Sequence, residues 1–344
     1  MAKTMAIIAV IVDHMSNRLY VNDAMQRVSS YSVGMFVICM GATSYWSLNG
    51  GKTSKEYVKK RATSILGPYI MATVLCSTYY NRGFCFEKII NELIHFNASL
   101  PYYYVCLYLQ LILITPVIIY YVARYCKGIG GIGYSVAGML GLSVASYFLN
   151  TRTNILEVYG GGGKLFGGSY IVLLFVGVLL AHVSDTLSRA TIVWKVVLEI
   201  VSILVTIFIA CLLYRRNDLL LNDTLLGAST NPPGITIIVY STAFSLLLFG
   251  LDVLISDRIP RRIEMVFTVV GRRTLSIFLY HMLLFVVLSE QIVYRFGLEI
   301  RNSRLRIVIY FGILILGSII LGYAFDMALK RIGLIWKSKV CKDE

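Results

Sequence analysis

Long apolar runs separated by short polar stretches recur along the whole chain. Ten runs approach the ~20 residues that a helix needs to cross hydrocarbon. Their predicted extents are Thr4–Leu19, Ser30–Leu48, Leu66–Tyr80, Tyr102–Tyr121, Ile132–Leu149, Leu165–His182, Val193–Tyr214, Ile235–Ile255, Leu275–Ile292 and Leu305–Leu329. The runs are continuous instead of alternating, which favours helices over barrel strands, because backbone in lipid must satisfy its own hydrogen bonds. The pattern predicts an all-α polytopic membrane protein with about ten transmembrane helices, forming a single domain over residues 1–344.

The composition excludes a soluble protein. Of the 344 residues, 57% are hydrophobic and only 15% are charged, which leaves too little polar surface for soluble domains. Lys and Arg number 32 against 18 Asp and Glu, a formal net charge of +14. Cytoplasmic loops of membrane proteins collect Lys and Arg, so the membrane explains this surplus and we expect no nucleic-acid partner.

The basic residues also predict the orientation. Three stretches rich in Lys and Arg, between positions 52 and 61, 258 and 273, and 330 and 342, fall on one side of the predicted bundle. That side is expected to be cytoplasmic, with both termini in it, although four arginines between positions 295 and 306 reduce the contrast. We expect the membrane to be the bacterial inner (cytoplasmic) membrane.

The seven cysteines do not predict a disulfide framework. Most lie inside apolar runs or near predicted cytoplasmic ends, and only Cys85 lies in a predicted external loop. We expect neither a structural disulfide nor a metal site.

Lys3 and His14 lie eleven residues apart in the first apolar run. Eleven residues are close to three helical turns and a rise of about 16 Å, so both side chains share one face and His14 lies about halfway through a ~30 Å core. An ionisable residue at that depth is costly and is usually turned towards a protein cavity. The pattern favours a functional His14. The alternatives are a histidine that only hydrogen-bonds a neighbouring helix or one that lies nearer the interface. Asp13 is interpreted as a polar residue at a helix end.

His281 is the second histidine at predicted membrane depth. It follows Arg273 by eight residues, about 12 Å of helix, which is a depth similar to that of His14. The two imidazoles are therefore expected to be able to share one cavity. A role in helix packing is an equally good interpretation of His281.

Basic residues precede the third run, from Lys55 to Arg61. Such clusters mainly fix orientation and contact anionic lipid. The sharper hypothesis is a site for phosphates, in which Arg61 offers two parallel donors and Lys60 assists.

Short motifs in the first two runs match one family pattern. Lys3 precedes His14 by eleven positions, with Ala6 at the third position after the basic residue. The stretch from Val33 to Gly41 is rich in apolar residues and ends in Gly, although Met40 stands where the pattern usually has Ser.

Three later segments match the same pattern. A basic residue, Arg61, leads into Pro68 and Tyr69, although Ser64 stands where a second Arg is common. The fourth run keeps the spacing of Gln110 and Pro116 and has Tyr103 where an aromatic residue is expected, and the segment from Gly271 to His281 completes the set. Together these segments resemble the acyltransferase 3 family of polytopic membrane acyltransferases.

The resemblance implies transfer of an acyl group, often acetyl, from a cytoplasmic acyl-CoA to a hydroxyl of a cell-envelope glycan or lipid-linked saccharide. Acetyl-CoA or another acyl-CoA is then the donor, and no tightly bound cofactor is expected. The implied catalytic residues are His14 and Lys3, with His14 as general base or as a covalent acyl relay. Arg61 and Lys60 would bind the donor, and the implied substrate-binding residues are His281, Tyr103 and Gln110.

A membrane exporter or flippase for a polysaccharide or lipid-linked sugar is the rival hypothesis. His14 and His281 at mid-membrane depth, together with scattered tyrosines, would also suit a polar transport path. The sequence contains neither the internal repeats nor the broken helices at matching positions that are typical of such transporters. A sensory or scaffolding protein would leave the eleven-residue spacing unexplained.

Overall fold

The computed structural model describes residues 1–15, 23–128, 130–152, 169–215, 233–255, 259–287 and 304–340. The helices in these ranges are α1 (Ala2–Met15), α2 (Asp23–Val28), α3 (Tyr31–Asn49), α4 (Ser54–Tyr80), α5 (Phe86–His95), a 3-10 turn (Leu100–Tyr102), α6 (Tyr103–Tyr125), α7 (Gly130–Arg152), α8 (Tyr170–Arg189), α9 (Ile192–Arg215), α10 (Ile235–Ile255), α11 (Arg261–Arg272), α12 (Thr274–Val286) and α13 (Arg304–Val340). The predicted all-α class is confirmed.

Five helical segments in the described residues are long and apolar enough to cross a membrane. They are Leu100–Tyr125, Tyr170–Arg189, Ile192–Arg215, Ile235–Asp252 and Gly312–Arg331. A bent pair, α11 with α12, would be a sixth span. These helices identify an integral membrane protein, but the predicted count of ten is not confirmed. Part of the difference lies outside the described residues: α1 is described only to Met15, whereas the predicted first span continues to Leu19.

The bend between α11 and α12 was not predicted. The sequence placed residues 258–273 in a polar connection and began a continuous span at Leu275, whereas residues 261–272 form a helix that meets α12 at 74°. Arg272 and Arg273 stand at the break. Because two adjacent guanidinium groups would be costly in hydrocarbon, a change of helix direction at this point keeps both near the membrane surface.

The centre of the bundle is held together by close backbone contacts between α3 and α8. A Cβ on Gly41 would meet the backbone carbonyl of Leu174, and a Cβ on Gly177 would meet the backbone carbonyl of Ile38. Neither contact leaves room for a side chain. Small residues at helix interfaces allow this approach, which supplies packing energy where the hydrophobic effect between helices is weak.

Candidate functional site

A cavity of about 500 Å³ lies between α1, α3, α4, α6, α11 and α12. Three of its lining side chains are cationic: Lys3, Arg61 and Arg272. None of the described lining residues is acidic. We call this space the basic cavity. Its charge makes it suitable for an anionic ligand, and Lys3 and Arg61, both predicted from the sequence, line it together.

Arg61 lies on α4, a helix whose N-terminus is closed by a capping box. Thr53 caps α4: its hydroxyl accepts from the Glu56 backbone N–H at 3.2 Å, while the Glu56 carboxylate accepts from the Thr53 backbone N–H at 3.1 Å. Such reciprocal capping satisfies two of the donors that a helix start leaves unpaired. Arg61 follows about two turns later, so the cap fixes the part of α4 that carries the guanidinium.

Neutral hydroxyl groups hold the Arg61 guanidinium in place. Nη1 donates to the Tyr108 hydroxyl at 3.4 Å, and Nη2 donates to Thr43 Oγ1 at 3.3 Å. The guanidinium carbon also lies 5.8 Å from the centre of the Tyr57 ring. No described carboxylate forms an ion pair with Arg61. Its positive charge is therefore oriented but not neutralised, as an anion site requires.

A smaller cavity of about 220 Å³ adjoins Arg61 on another side. Lys52, Lys60 and Ser64 contribute to its lining, and Arg61 and Ser64 are shared with the basic cavity. The predicted second donor ligand, Lys60, is exposed and belongs to this smaller cavity. Arg61 therefore stands between two neighbouring spaces, both lined by cationic side chains.

His14 and His281 lie against each other. Their ring centroids are 5.0 Å apart and their planes meet at 71°, an edge-to-face contact. His281 is buried, with 2% of its surface exposed, whereas the side chain of His14 is 15% exposed. The two imidazoles that were expected to be able to share one cavity contact each other, but neither lines the basic cavity.

The hydrogen bonds of both rings define their tautomers. His14 Nδ1 lies 2.7 Å from the Val10 carbonyl oxygen, and His281 Nδ1 lies 2.7 Å from the Phe278 carbonyl oxygen. A carbonyl oxygen only accepts, so each Nδ1 must donate its proton. In a neutral imidazole the other nitrogen, Nε2, is then the basic atom. Nε2 of His281 is buried and has no hydrogen-bond partner among the described residues.

Phe278 connects the basic cavity to the histidine pair. Its side chain lines the cavity, and its ring centroid lies 5.8 Å from that of His281. On another side, the centroid of the Phe278 ring lies 5.1 Å from that of Tyr104, which also lines the cavity. Neither histidine lines the basic cavity: His281 lies directly behind this aromatic wall, and His14 lies against His281.

On the side away from His281, His14 has polar neighbours. Asp13 Oδ2 lies 3.9 Å from His14 Nδ1, and the Asp13 carboxyl also hydrogen-bonds Gln26, an exposed residue. The Asp13 side chain is 30% exposed. Sequence reasoning separated Asp13 from His14 because adjacent helix positions point in different directions, but a carboxylate and an imidazole still reach ion-pair distance. His14 therefore lies between His281 and a polar, partly exposed cluster.

The two remaining predicted substrate residues lie on α6, away from the basic cavity. Tyr103 hydrogen-bonds Tyr170 and lies near Asp13. Gln110 donates to Cys106 Sγ at 3.4 Å on its own helix. Neither belongs to the lining of the basic cavity, which instead takes Tyr104 and Tyr108 from this helix.

The position of α12, and with it His281, depends on an interaction that the sequence did not predict. The Tyr102 hydroxyl donates to the Leu279 carbonyl at 3.0 Å, and Cys76 Sγ lies 3.2 Å from the same hydroxyl. Tyr102 is fully buried. The run of three successive tyrosines at positions 102–104 carries no sign of a partner 177 residues along the chain.

Among the described residues, no group of three or more His, Cys, Asp or Glu side chains is arranged to hold a metal ion. The site defined by these residues is a cationic, partly apolar cavity, with a pair of imidazoles behind the Phe278 side of its wall, within a helical membrane protein. Such a site suits binding of an elongated anion and proton transfer at its inner end.

A protein-family comparison identifies the reaction class. A family model described as an acyltransferase domain matches residues 1–323, so the chain belongs to the acyltransferase 3 family and is an acyltransferase. The enzyme interpretation is thereby favoured over the exporter. No curated protein and no solved structure matches the chain at a significant level.

Proposed function

We propose that the protein is a membrane O-acyltransferase that moves an acyl group, acetyl in the simplest case, from acyl-CoA to a hydroxyl of a cell-envelope glycan or lipid-linked saccharide. The observation that carries this proposal is the continuity from Arg61, through the basic cavity and Phe278, to the histidine pair. A cation-lined entrance and an imidazole base about 16 Å further along α1 suit a donor whose phosphates and thioester are widely separated.

The phosphates of the donor would bind at the basic end. Arg61 offers two parallel N–H donors, which match a phosphate better than a lysine does. Lys60 and Lys52 extend the positive surface through the smaller cavity, and Lys3 and Arg272 extend it through the basic cavity. This leaves the narrow pantetheine arm to follow the cavity towards Phe278, whose ring must rotate to admit the thioester.

His14 would act as the general base. Its Nε2 takes the proton of the acceptor hydroxyl while the hydroxyl oxygen forms a bond to the thioester carbonyl carbon. The carbon–sulfur bond then breaks, and the proton held by His14 passes to the departing thiolate. The products are an ester and free coenzyme A. General base catalysis of this kind contributes typically ~10² to 10⁴ in rate.

A covalent route would use the same nitrogen. In that route Nε2 of His14 attacks the thioester carbonyl, coenzyme A leaves first, and the acceptor hydroxyl then takes the acyl group from the imidazole. Labelled acyl group that stays on the protein when acceptor is withheld would identify this route. Its absence, with donor turnover intact in the presence of acceptor, would identify direct transfer.

The two sides of His14 suit transfer across the membrane. The basic cavity would open to the cytoplasm, where acyl-CoA is made, and the Asp13–Gln26 side would admit the acceptor from the opposite side. We place the protein in a bacterial inner membrane, and the distribution of Lys and Arg supports the orientation with both termini in the cytoplasm. Asp13, Tyr103 and His281 would then contact the acceptor.

The test is donor turnover by the purified protein in lipid nanodiscs. Wild type, His14→Ala and His95→Ala are incubated with radiolabelled acetyl-CoA and a membrane extract that contains acceptors. His95 is the matched control because it is a partly exposed histidine on α5 whose Nδ1 hydrogen-bonds the Asn91 carbonyl of its own helix, as His14 Nδ1 does with Val10. We expect label transfer by wild type and His95→Ala and none by His14→Ala. No donor binding or turnover by folded wild-type protein, with either acetyl or longer acyl thioesters, would refute the proposal.

A further inference from the structure

Helix α11 is amphipathic and lies beside the basic cavity. At 100° per residue, Ile263, Val266 and Val269 form one continuous apolar face together with Phe267 and Val270. Val270 is buried and Phe267 is partly buried against the protein. The other three are exposed by 48%, 61% and 40% respectively. Only one edge of the apolar face is therefore used inside the molecule.

The opposite face of α11 is polar and carries two cationic residues and one acidic residue. Arg261, Glu264, Thr268 and Arg272 lie within it, whereas Arg262, in the first turn of the helix, lies between Val266 and Val269. Arg261 and Arg262 are exposed, and no described carboxylate pairs with either one. A helix with basic residues on one face and exposed aliphatic residues on the other is typical of a segment that lies in the membrane interface.

The 74° bend at Arg273 orients α11 as a helix in the membrane interface would be oriented. The apolar helix α12 follows the bend and contains the buried His281. Membrane helices tilt on average by about 20° from the bilayer normal, so a helix at 74° to α12 runs close to the membrane plane. In this position the exposed face of Ile263, Val266 and Val269 reaches the acyl chains while the arginines reach the headgroups.

The other edge of α11 contacts the site directly. Thr4 Oγ1 donates to the Phe267 carbonyl at 2.8 Å, and Thr4 is the neighbour of Lys3 on α1. At the end of α11, Gly271 and Arg272 line the basic cavity, and a Cβ on Gly271 would lie 3.4 Å from Thr4 Oγ1. Any movement of α11 relative to α1 would therefore change the wall of the basic cavity.

We propose that α11 docks on the anionic headgroup surface of the leaflet around the basic cavity, and that this docking holds the cavity in the shape that binds the donor. The partner is a membrane surface rich in anionic phospholipid. Each basic residue near such a surface contributes about a fivefold factor to binding, so Arg261 and Arg262 together contribute about 30-fold.

Hydrogen–deuterium exchange tests the docking without reference to catalysis. Amide exchange of the segment 259–273 is compared in nanodiscs of phosphatidylcholine alone and of phosphatidylcholine mixed with phosphatidylglycerol. We expect exchange in wild type to be several-fold slower in the anionic nanodiscs. The double variant Arg261→Gln, Arg262→Gln should lose this difference. Lys55→Gln, Lys59→Gln is the matched control, because it removes two exposed charges from α4 and should keep the difference.

Two results would overturn the docking. One is equal amide exchange of α11 in the two lipids for wild type. The other is a lipid-dependent difference that both double variants reduce to the same extent. Val266→Gln supplies a second measurement, since it removes an exposed apolar contact without changing charge. It should speed exchange of α11 in both lipids, and unchanged exchange would also contradict the proposal.

The link to the cavity rests on the proposed function and is measured separately, as the KM for acetyl-CoA in the same nanodiscs. Wild type should bind the donor several-fold more tightly in the anionic nanodiscs, and Arg261→Gln, Arg262→Gln should not. A KM that is independent of lipid, in protein whose α11 exchange does respond, would overturn the coupling and leave the docking established. A failure of the acyl-CoA proposal would remove turnover but leave the exchange result unaffected.

Discussion

His14 on α1 and His281 on α12 meet edge to face with their ring centroids 5.0 Å apart, although 267 positions separate them in the chain. Each ring donates from Nδ1 to a carbonyl of its own helix. These bonds fix both tautomers and leave both Nε2 atoms as bases. The pair combines one buried imidazole with one that is partly exposed, so the two rings are suited to different tasks.

His281→Asn should impair acceptor binding more than donor binding. The Asn side-chain N–H can replace His281 Nδ1 and keep the bond to the Phe278 carbonyl, but it offers no atom at Nε2. Loss of one hydrogen bond to a buried group costs about 1 to 3 kcal/mol. We expect the acceptor KM to rise about tenfold or more while the KM for acetyl-CoA stays within about twofold. An unchanged acceptor KM would mean that Nε2 of His281 does not touch the acceptor.

Arg61→Ala should weaken donor binding. Charge-assisted hydrogen bonds contribute about 1.5 to 3 kcal/mol, which corresponds to an increase of about 10- to 100-fold in the dissociation constant of acetyl-CoA. Lys59→Ala is the control, because Lys59 is an exposed cation on the same helix that lines neither cavity. Isothermal titration with a non-hydrolysable acyl-CoA analogue measures both variants. Equal affinity in the two would contradict a phosphate role for Arg61.

Ser64→Arg should strengthen donor binding. Ser64 lines both cavities, is exposed, and follows Arg61 by one helical turn. A guanidinium at this position would face the same space as Arg61 and restore the second Arg that the family commonly has. We expect the KM for acetyl-CoA to fall several-fold at low ionic strength, with a smaller effect at high salt, since salt screens such attraction. A KM that rises would indicate that the cavity has no room for a second guanidinium.

Gly177→Ala should destabilise the bundle. The added Cβ would collide with the backbone carbonyl of Ile38, so α3 and α8 must separate. Forcing extra atoms into a packed interface costs typically 1 to 3 kcal/mol. Gly141→Ala in α7 is the control, because a Cβ there meets no atom within 4 Å. Thermal unfolding in detergent should show a lower midpoint for the first variant and an equal or higher midpoint for the second. Equal midpoints would contradict the close approach of α3 and α8.

Sequence reasoning located the residues of the site that are costly in a membrane. His14 and His281 were predicted at membrane depth, where an ionisable residue needs a reason that the hydropathy pattern does not supply, whereas Lys3 and Arg61 were predicted as cations near the membrane surface. The structure brings these four residues to one region, in the basic cavity or directly behind its wall. Residues of this kind are found from sequence because their energetic cost makes them conspicuous.

The neutral and aromatic part of the site could not be predicted in the same way. Tyr103 was predicted because it stands where the family pattern has an aromatic residue, whereas Tyr104 and Tyr108 line the cavity. Adjacent positions on a helix differ by 100° in direction, so the choice depends on the rotation of α6, which packing decides. Arg272 was assigned to a polar connection because α11 shows no long apolar run. The position of Arg272 in the cavity lining becomes apparent only once the bend at Arg273 is known.

The most direct test of the account is the rate of thioester cleavage by His14→Asn in nanodiscs, compared with wild type at saturating acetyl-CoA and acceptor. The Asn side-chain N–H can keep the hydrogen bond to the Val10 carbonyl that His14 Nδ1 makes, so the variant removes only the basic nitrogen. The account predicts that cleavage falls by about 10² to 10⁴ while the affinity for acetyl-CoA is unchanged. Cleavage at the wild-type rate by a folded variant would show that His14 is not the base.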